Sequence, residues 1–146
     1  MLTGSRGIAL CCLAALVALY VIGAASHGVL RHAVQTLPFW FPILFGFRGS
    51  ELAKWSALPC LIVWFAIVVM IWLFLLGWSR ILTGHFSPVE IAMTLLVGVA
   101  CLCGFGVALR WRTATRPLRE AAIGVLFFAL QVIALRVSVL PSIAHR

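Results

Sequence analysis

Glu90 and Arg136 are the ionisable residues whose positions most suggest a chemical role. Glu90 is one of only three acidic residues and lies at the start of a long apolar run, whereas Arg136 lies inside another such run. A charge within a bilayer is costly unless it is paired or reaches water. If the two runs are neighbouring antiparallel helices, both side chains lie near the same membrane face. The sequence therefore predicts a polar cluster of Glu90 and Arg136, with His85 and Arg80 as further candidates.

The same two residues also have a purely structural interpretation. Ser87-Pro88-Val89-Glu90 has the pattern of a capping box, with the proline at a position where its missing N–H is harmless. Arg136 is close enough to the end of its run to extend its guanidinium to the membrane interface. In this interpretation Glu90 caps its own helix and the two charges need no contact.

The connection 27–55 is a second candidate site. Its central segment, 37–47, is rich in aromatic residues, is interrupted by Pro38 and Pro42, and is short for a membrane crossing. We expect this segment to be interfacial or re-entrant, because tryptophan and phenylalanine suit the headgroup level. Arginine can hold a phosphate, which makes the following residues candidates for binding a lipid headgroup: His27, Arg31, His32, Trp40 and Arg48.

Motifs for cofactors or catalysis are not recognisable in the chain. The histidines lie near the ends of apolar runs or in the connections, which does not favour axial haem ligation within a bundle. The five cysteines lack zinc-ligand spacing. Catalytic signatures such as HExxH, a nucleophile elbow or a phosphate loop do not occur. The sequence predicts no cofactor and no metal, and gives no reason to expect an enzyme.

Composition identifies the class of protein. The chain is 64% hydrophobic and 10% charged, which is too little charge to cover the surface of a soluble domain. Four runs are long enough to cross a bilayer, at roughly 7–25, 57–78, 89–109 and 121–140. We predict an all-α integral membrane protein whose residues 1–146 form one polytopic domain.

The basic residues flank the apolar runs, so the formal net charge of +8 predicts contact with lipid rather than nucleic acid. We prefer four crossings with the amino terminus outside. Five crossings with the amino terminus inside, if 33–47 also crosses, fit the charges equally well. Both arrangements leave 110–119 in the cytosol. A less favoured alternative makes residues 1–25 a cleaved signal peptide.

Small and polar side chains suggest how the helices pack. Ala100, Gly104 and Ala108 recur every four residues on the third span, forming a stripe on which another helix can approach closely. On the fourth span, Gln131 and Ser138 share a face by their spacing. The stripe is the candidate surface for contact with another helix or another copy of the chain.

These features favour a small multi-pass protein of the bacterial inner (cytoplasmic) membrane without catalytic activity. It would act as an accessory or assembly subunit, or as a homo-oligomer, through the small-residue stripe of its third span. The alternative is a lipid- or quinone-interacting protein, such as a redox or lipid-modifying component, that uses the 27–55 connection. The bilayer is the expected partner in both cases.

Overall fold

The computed structural model describes residues 4–78, 86–114 and 116–144, and these residues form helices joined by short connections. A 3-10 turn, Leu37–Phe39, lies between the second and third helices. The helices in chain order are α1 Gly4–Ala25, α2 Val29–Thr36, α3 Trp40–Phe47, α4 Leu52–Leu75, α5 Pro88–Arg110, α6 Pro117–Ser138 and α7 Pro141–Ala144.

Four of these helices, α1, α4, α5 and α6, are long and apolar enough to cross a membrane. They contain 22, 24, 23 and 22 residues, respectively. At about 1.5 Å per residue, each exceeds the roughly 30 Å of a hydrocarbon core. The all-α membrane fold with four long helices is thereby confirmed. The largest difference in bounds is at α4, which begins before the apolar run and includes Lys54, whose long side chain can extend to the interface.

Contacts at the helix ends establish the direction of each helix. Gly4, at the start of α1, packs against the ring of Trp111, just after α5, so closely that a Cβ would not fit. Lys54, near the start of α4, donates from Nζ to the carbonyl oxygen of Trp111 at 2.7 Å. We call this the Trp111 end. At the opposite end, which we call the His32 end, Gly23 of α1 contacts His32 of α2.

The segment 29–47 runs along α1 from the His32 end to the Trp111 end. Beyond the contact of Gly23 with His32, Gly46 packs on Ser5 and Ala9 at the start of α1. In the 29–47 segment, α2, the 3-10 turn and α3 contain 8, 3 and 8 residues, which together extend about 30 Å. The described residues thus pass between the two ends of the bundle five times, four of them in helices that are long and apolar enough to cross a membrane.

The interfacial or re-entrant placement of 37–47 stays a prediction, and the two prolines explain how this segment is divided. Pro38 lies in the 3-10 turn, and Pro42 lies in the first turn of α3. A proline is tolerated in a first turn because its missing N–H has no intrahelical acceptor there. The prolines therefore separate α2 from α3, and the chain continues through both helices toward the Trp111 end.

The small-residue stripe of α5 is buried inside the chain. Ala100, Gly104 and Ala108 all have little or no exposed surface. A Cβ added at Gly104 would lie 2.7 Å from Cδ1 of Leu61 and 3.5 Å from Cβ of Cys11, so α1 and α4 both approach this position closely. The stripe packs α5 against helices of the same chain and is not available to another molecule.

Candidate functional site

The start of α5 holds the capping box that the sequence predicts. The hydroxyl oxygen of Ser87 accepts from the backbone N–H of Glu90 at 3.3 Å, and Oε2 of Glu90 accepts from the backbone N–H of Ser87 at 2.7 Å. These reciprocal bonds satisfy two backbone donors that the helix itself leaves unpaired. They also hold the Glu90 carboxylate in one place at the His32 end.

The structure does not bring Glu90 and Arg136 together in the predicted polar cluster. The side chain of Arg136 is exposed, and no ion pair joins it to Glu90. Arg80 and His85, the other candidates, lie outside the residues that the structure describes. The orientation of α6 explains why Arg136 does not pair with Glu90. Ser138 is fully buried, and a residue two positions before it on a helix points to a different side.

Glu90 instead faces residues of α2 across a cavity of about 440 Å³, which we call the His32 cavity. Both α1 and α2 contribute to it, as do α4, α5 and the residues around the end of α6. Its polar lining residues are Ser26, Arg31, His32, Gln35, Glu90 and Thr94. The cavity therefore combines residues from two groups that the sequence suggested separately: Glu90 from one, and Arg31 with His32 from the other.

The rest of the cavity wall is apolar. The side chains that form it are Leu19, Ile22, Trp64, Ile67, Val68, Ile71, Phe86, Val97, Leu135 and Val139. Ser26 and Arg31 are exposed, so the polar part of the cavity reaches the surface at the His32 end. A cavity of this size, with an apolar wall and a few polar groups, has the form of a small-molecule site.

The orientation of His32 follows from its contacts. Nδ1 lies 3.0 Å from the carbonyl oxygen of Gly28. Because a carbonyl only accepts, Nδ1 carries the proton of this bond, and in the neutral imidazole Nε2 is an acceptor. A Cβ added at Gly23 would lie 3.0 Å from Cβ of His32 and 3.1 Å from its Cγ and Nδ1. Glycine at this position allows α2 to place the imidazole directly against α1.

Trp64 is a buried donor in the wall of the cavity. Its side chain is 5% exposed, and Nε1 has no acceptor among the described residues. A buried donor left unpaired costs about 1–3 kcal/mol. Nothing in the sequence distinguished Trp64 from the other tryptophans of the apolar runs.

A buried hydrogen-bond network connects α2 to α6 beside the cavity. Nε2 of Gln35 donates to Oγ of Ser138 at 2.9 Å, and that hydroxyl donates to the carbonyl oxygen of Leu135 at 2.7 Å. Nε2 of Gln131 donates to the backbone carbonyl of Gln35 at 3.0 Å. The shared face of Gln131 and Ser138 indicated half of this network. The signal for Gln35 was an amide within a largely apolar segment, where a polar side chain is expensive without a partner.

The other predicted headgroup residues lie elsewhere. His27 is exposed in the connection after α1, with a positive φ of 55°. Trp40 lines an apolar groove of about 530 Å³ between the 29–47 segment and α6. Arg48 and Arg6 line an open pocket of about 430 Å³ at the Trp111 end. The five residues that the sequence grouped are thus divided among four regions, and of these five Arg31 and His32 share a cavity.

Within the described residues, no group of three or more histidine, cysteine or acidic side chains could hold a metal ion. Comparisons with protein-family models, with curated proteins and with solved structures found no match to this chain.

Proposed function

We propose that this protein binds a membrane amphiphile, a molecule with a polar head and a hydrocarbon tail, in the His32 cavity. The observation that carries this proposal is the make-up of the cavity. Charged and hydrogen-bonding groups lie at its exposed end, and apolar side chains form the rest of its wall. The site uses part of the 27–55 connection, as the lipid- or quinone-interacting interpretation expects.

Charge supports placing the cavity near the outer face of a bacterial inner membrane. The Trp111 end carries most of the basic residues: Arg6, Arg48, Lys54, Arg110, Arg112, Arg116 and Arg119. Basic residues near helix ends favour the cytoplasmic side. The Trp111 end is therefore cytoplasmic in our proposal, and an amphiphile reaches the His32 cavity from the outer leaflet.

The accessory-subunit interpretation depends on a surface that is buried inside the chain. It required the stripe of Ala100, Gly104 and Ala108 to be free for a partner, and this stripe is packed against α1 and α4. The exposed apolar side chains of α6 face outward without any feature that favours protein over lipid. We therefore propose binding of an amphiphile as the function.

Filling the cavity tests this function. Ile71 is half-buried in the cavity wall, so Ile71→Trp should occupy part of the space that a ligand needs. Val69→Trp is the matched control, because Val69 lies on the same helix, is 40% exposed and does not line the cavity. Native mass spectrometry of the gently solubilised protein should detect a bound amphiphile in the wild type and in Val69→Trp, and much less of it in Ile71→Trp. Equal amounts in all three proteins, or none in the wild type, would contradict the proposal.

A further inference from the structure

A groove beside the first turns of α6 combines an apolar surface with a single basic side chain. Its volume is about 360 Å³, and α3 and α4 form its other side. The described residues that line it are Phe45, Leu52, Arg119, Ala122, Ile123, Leu126 and Phe127. All of these except the arginine are apolar, and we call this surface the Arg119 groove.

The groove runs from the Trp111 end toward the middle of α6. Arg119 is the third residue of α6, which begins just after the connection that follows Trp111. Leu126 is seven residues later, about 10 Å deeper along the helix axis. Ala122 and Leu126 are exposed, so the groove is open sideways to the lipid. Its shape matches the upper part of an acyl chain whose head lies beside the arginine.

Aromatic rings form a fixed floor beneath this groove. Phe127 is 6% exposed, and its ring meets that of Phe41 edge to face, with the centroids 5.6 Å apart. The ring of Phe45 lies 6.4 Å from that of Phe41 on the other side. Rings in such contacts are held in place by their neighbours. A chain that enters the groove therefore meets a surface that is already formed.

Acidic side chains do not oppose an anionic head at this groove. The chain has three acidic residues, Glu51, Glu90 and Glu120, and all of them lie within the part that the structure describes. Glu90 is at the opposite end of the bundle. Both oxygens of Glu51 and Oε1 of Glu120 accept hydrogen bonds from the connection between α5 and α6, and neither residue lines the groove.

We infer that the Arg119 groove binds one anionic phospholipid from the leaflet that meets the Trp111 end. The guanidinium of Arg119 holds the lipid phosphate, and one acyl chain lies along the face of α6 that carries Ala122 and Leu126. Most basic residues of the chain lie at this end, which favours a lipid with net negative charge over a zwitterionic one. This site lies at the other end of the bundle from the His32 cavity and does not depend on the function proposed for that cavity.

Two phospholipids with the same acyl chains test the charge of the head. The solubilised full chain would be titrated with dioleoyl phosphatidylglycerol and with dioleoyl phosphatidylcholine, and bound lipid would be counted by native mass spectrometry. We expect the first phosphatidylglycerol to bind about fivefold to tenfold more tightly than the first phosphatidylcholine. Equal affinities for the two lipids would overturn the assignment of an anionic lipid.

Two arginine variants separate a specific site from a diffuse attraction. Arg119→Gln should remove most of the preference for phosphatidylglycerol. Arg112→Gln is the matched control, because Arg112 is exposed at the same end, does not line the groove and carries the same charge. It should keep most of the preference. Equal losses in the two variants would mean that the basic surface as a whole attracts the lipid, and the site would be wrong.

Two alanine variants test the place of the acyl chain. Ala122→Trp should fill part of the groove and weaken binding of phosphatidylglycerol about tenfold. Ala121→Trp is the matched control, since Ala121 is the preceding residue of α6, is also exposed and does not line the groove. Equal affinities of these two variants would overturn the placement of the chain in the groove.

The same measurements distinguish this site from the His32 cavity. If Ile71→Trp abolishes binding of phosphatidylglycerol while Arg119→Gln and Ala122→Trp leave it unchanged, the lipid occupies the His32 cavity. The groove site would then be wrong, and the proposed function would stand. If the Arg119 and Ala122 variants behave as expected and Ile71→Trp retains every bound amphiphile, the groove site stands and the proposed function is wrong.

Discussion

Replacing Gly46 by alanine should test the packing of the 29–47 segment along α1. A Cβ at this position would lie 2.6 Å from the backbone oxygen of Ser5 and 2.7 Å from Cβ of Ala9, so backbone atoms would have to move. Overpacking of this kind costs about 1–3 kcal/mol. Alanine also recovers up to about 1 kcal/mol of helix propensity. We therefore expect Gly46→Ala to lower the free energy of unfolding by about 1–2 kcal/mol.

Gly106→Ala is the matched control, because a Cβ there would meet no atom within 4 Å. Its free energy of unfolding should be unchanged or slightly raised. Thermal unfolding in detergent can be followed with a thiol-reactive fluorophore, since Cys12, Cys60 and Cys101 are buried and react once the bundle opens. Gly46→Ala should melt several degrees below the wild type. Equal melting temperatures for the two variants would refute the close passage of this segment along α1.

Two further predictions concern the cap of α5 and the path of the chain. Ser87→Ala should lower the free energy of unfolding by about 1 kcal/mol, because the N–H of Glu90 loses its acceptor, whereas Ser87→Thr should keep most of the wild-type value; equal melting temperatures would contradict this effect of the cap. Single cysteines placed at the exposed positions His27 and Arg48 in a cysteine-free variant should react with an impermeant maleimide from opposite sides of the membrane. Labelling of both from one side would favour an interfacial 37–47 segment over a fifth crossing.

Features that depend on near neighbours in the sequence could be predicted well. The lengths of the apolar runs predicted α1, α4, α5 and α6, because a bilayer requires about 20 apolar helical residues in succession. The capping box at Ser87 and Glu90 could also be recognised, since its partners are three positions apart.

Features that depend on how the helices turn toward one another could not be predicted. Depth in the membrane placed Glu90 and Arg136 at the same end, but depth gives no information about rotation, and Arg136 faces outward. Gln35 and Ser138 are far apart in the sequence, and no local pattern connects them. The stripe through Gly104 predicted close packing without indicating which helix would occupy it.

The close fit of α1 to α5 affects how the protein can be made. A Cβ at Gly7 would lie 3.1 Å from the side chain of Val107, so the first long helix is shaped to receive one that is synthesised much later. If helices enter the bilayer in the order of their synthesis, α1 and the 29–47 segment must remain together while the surface reserved for α5 is covered only by lipid. The fit between α1 and α5 is thus formed only after α1, the 29–47 segment and α4 are already in the membrane, and α6 is added last.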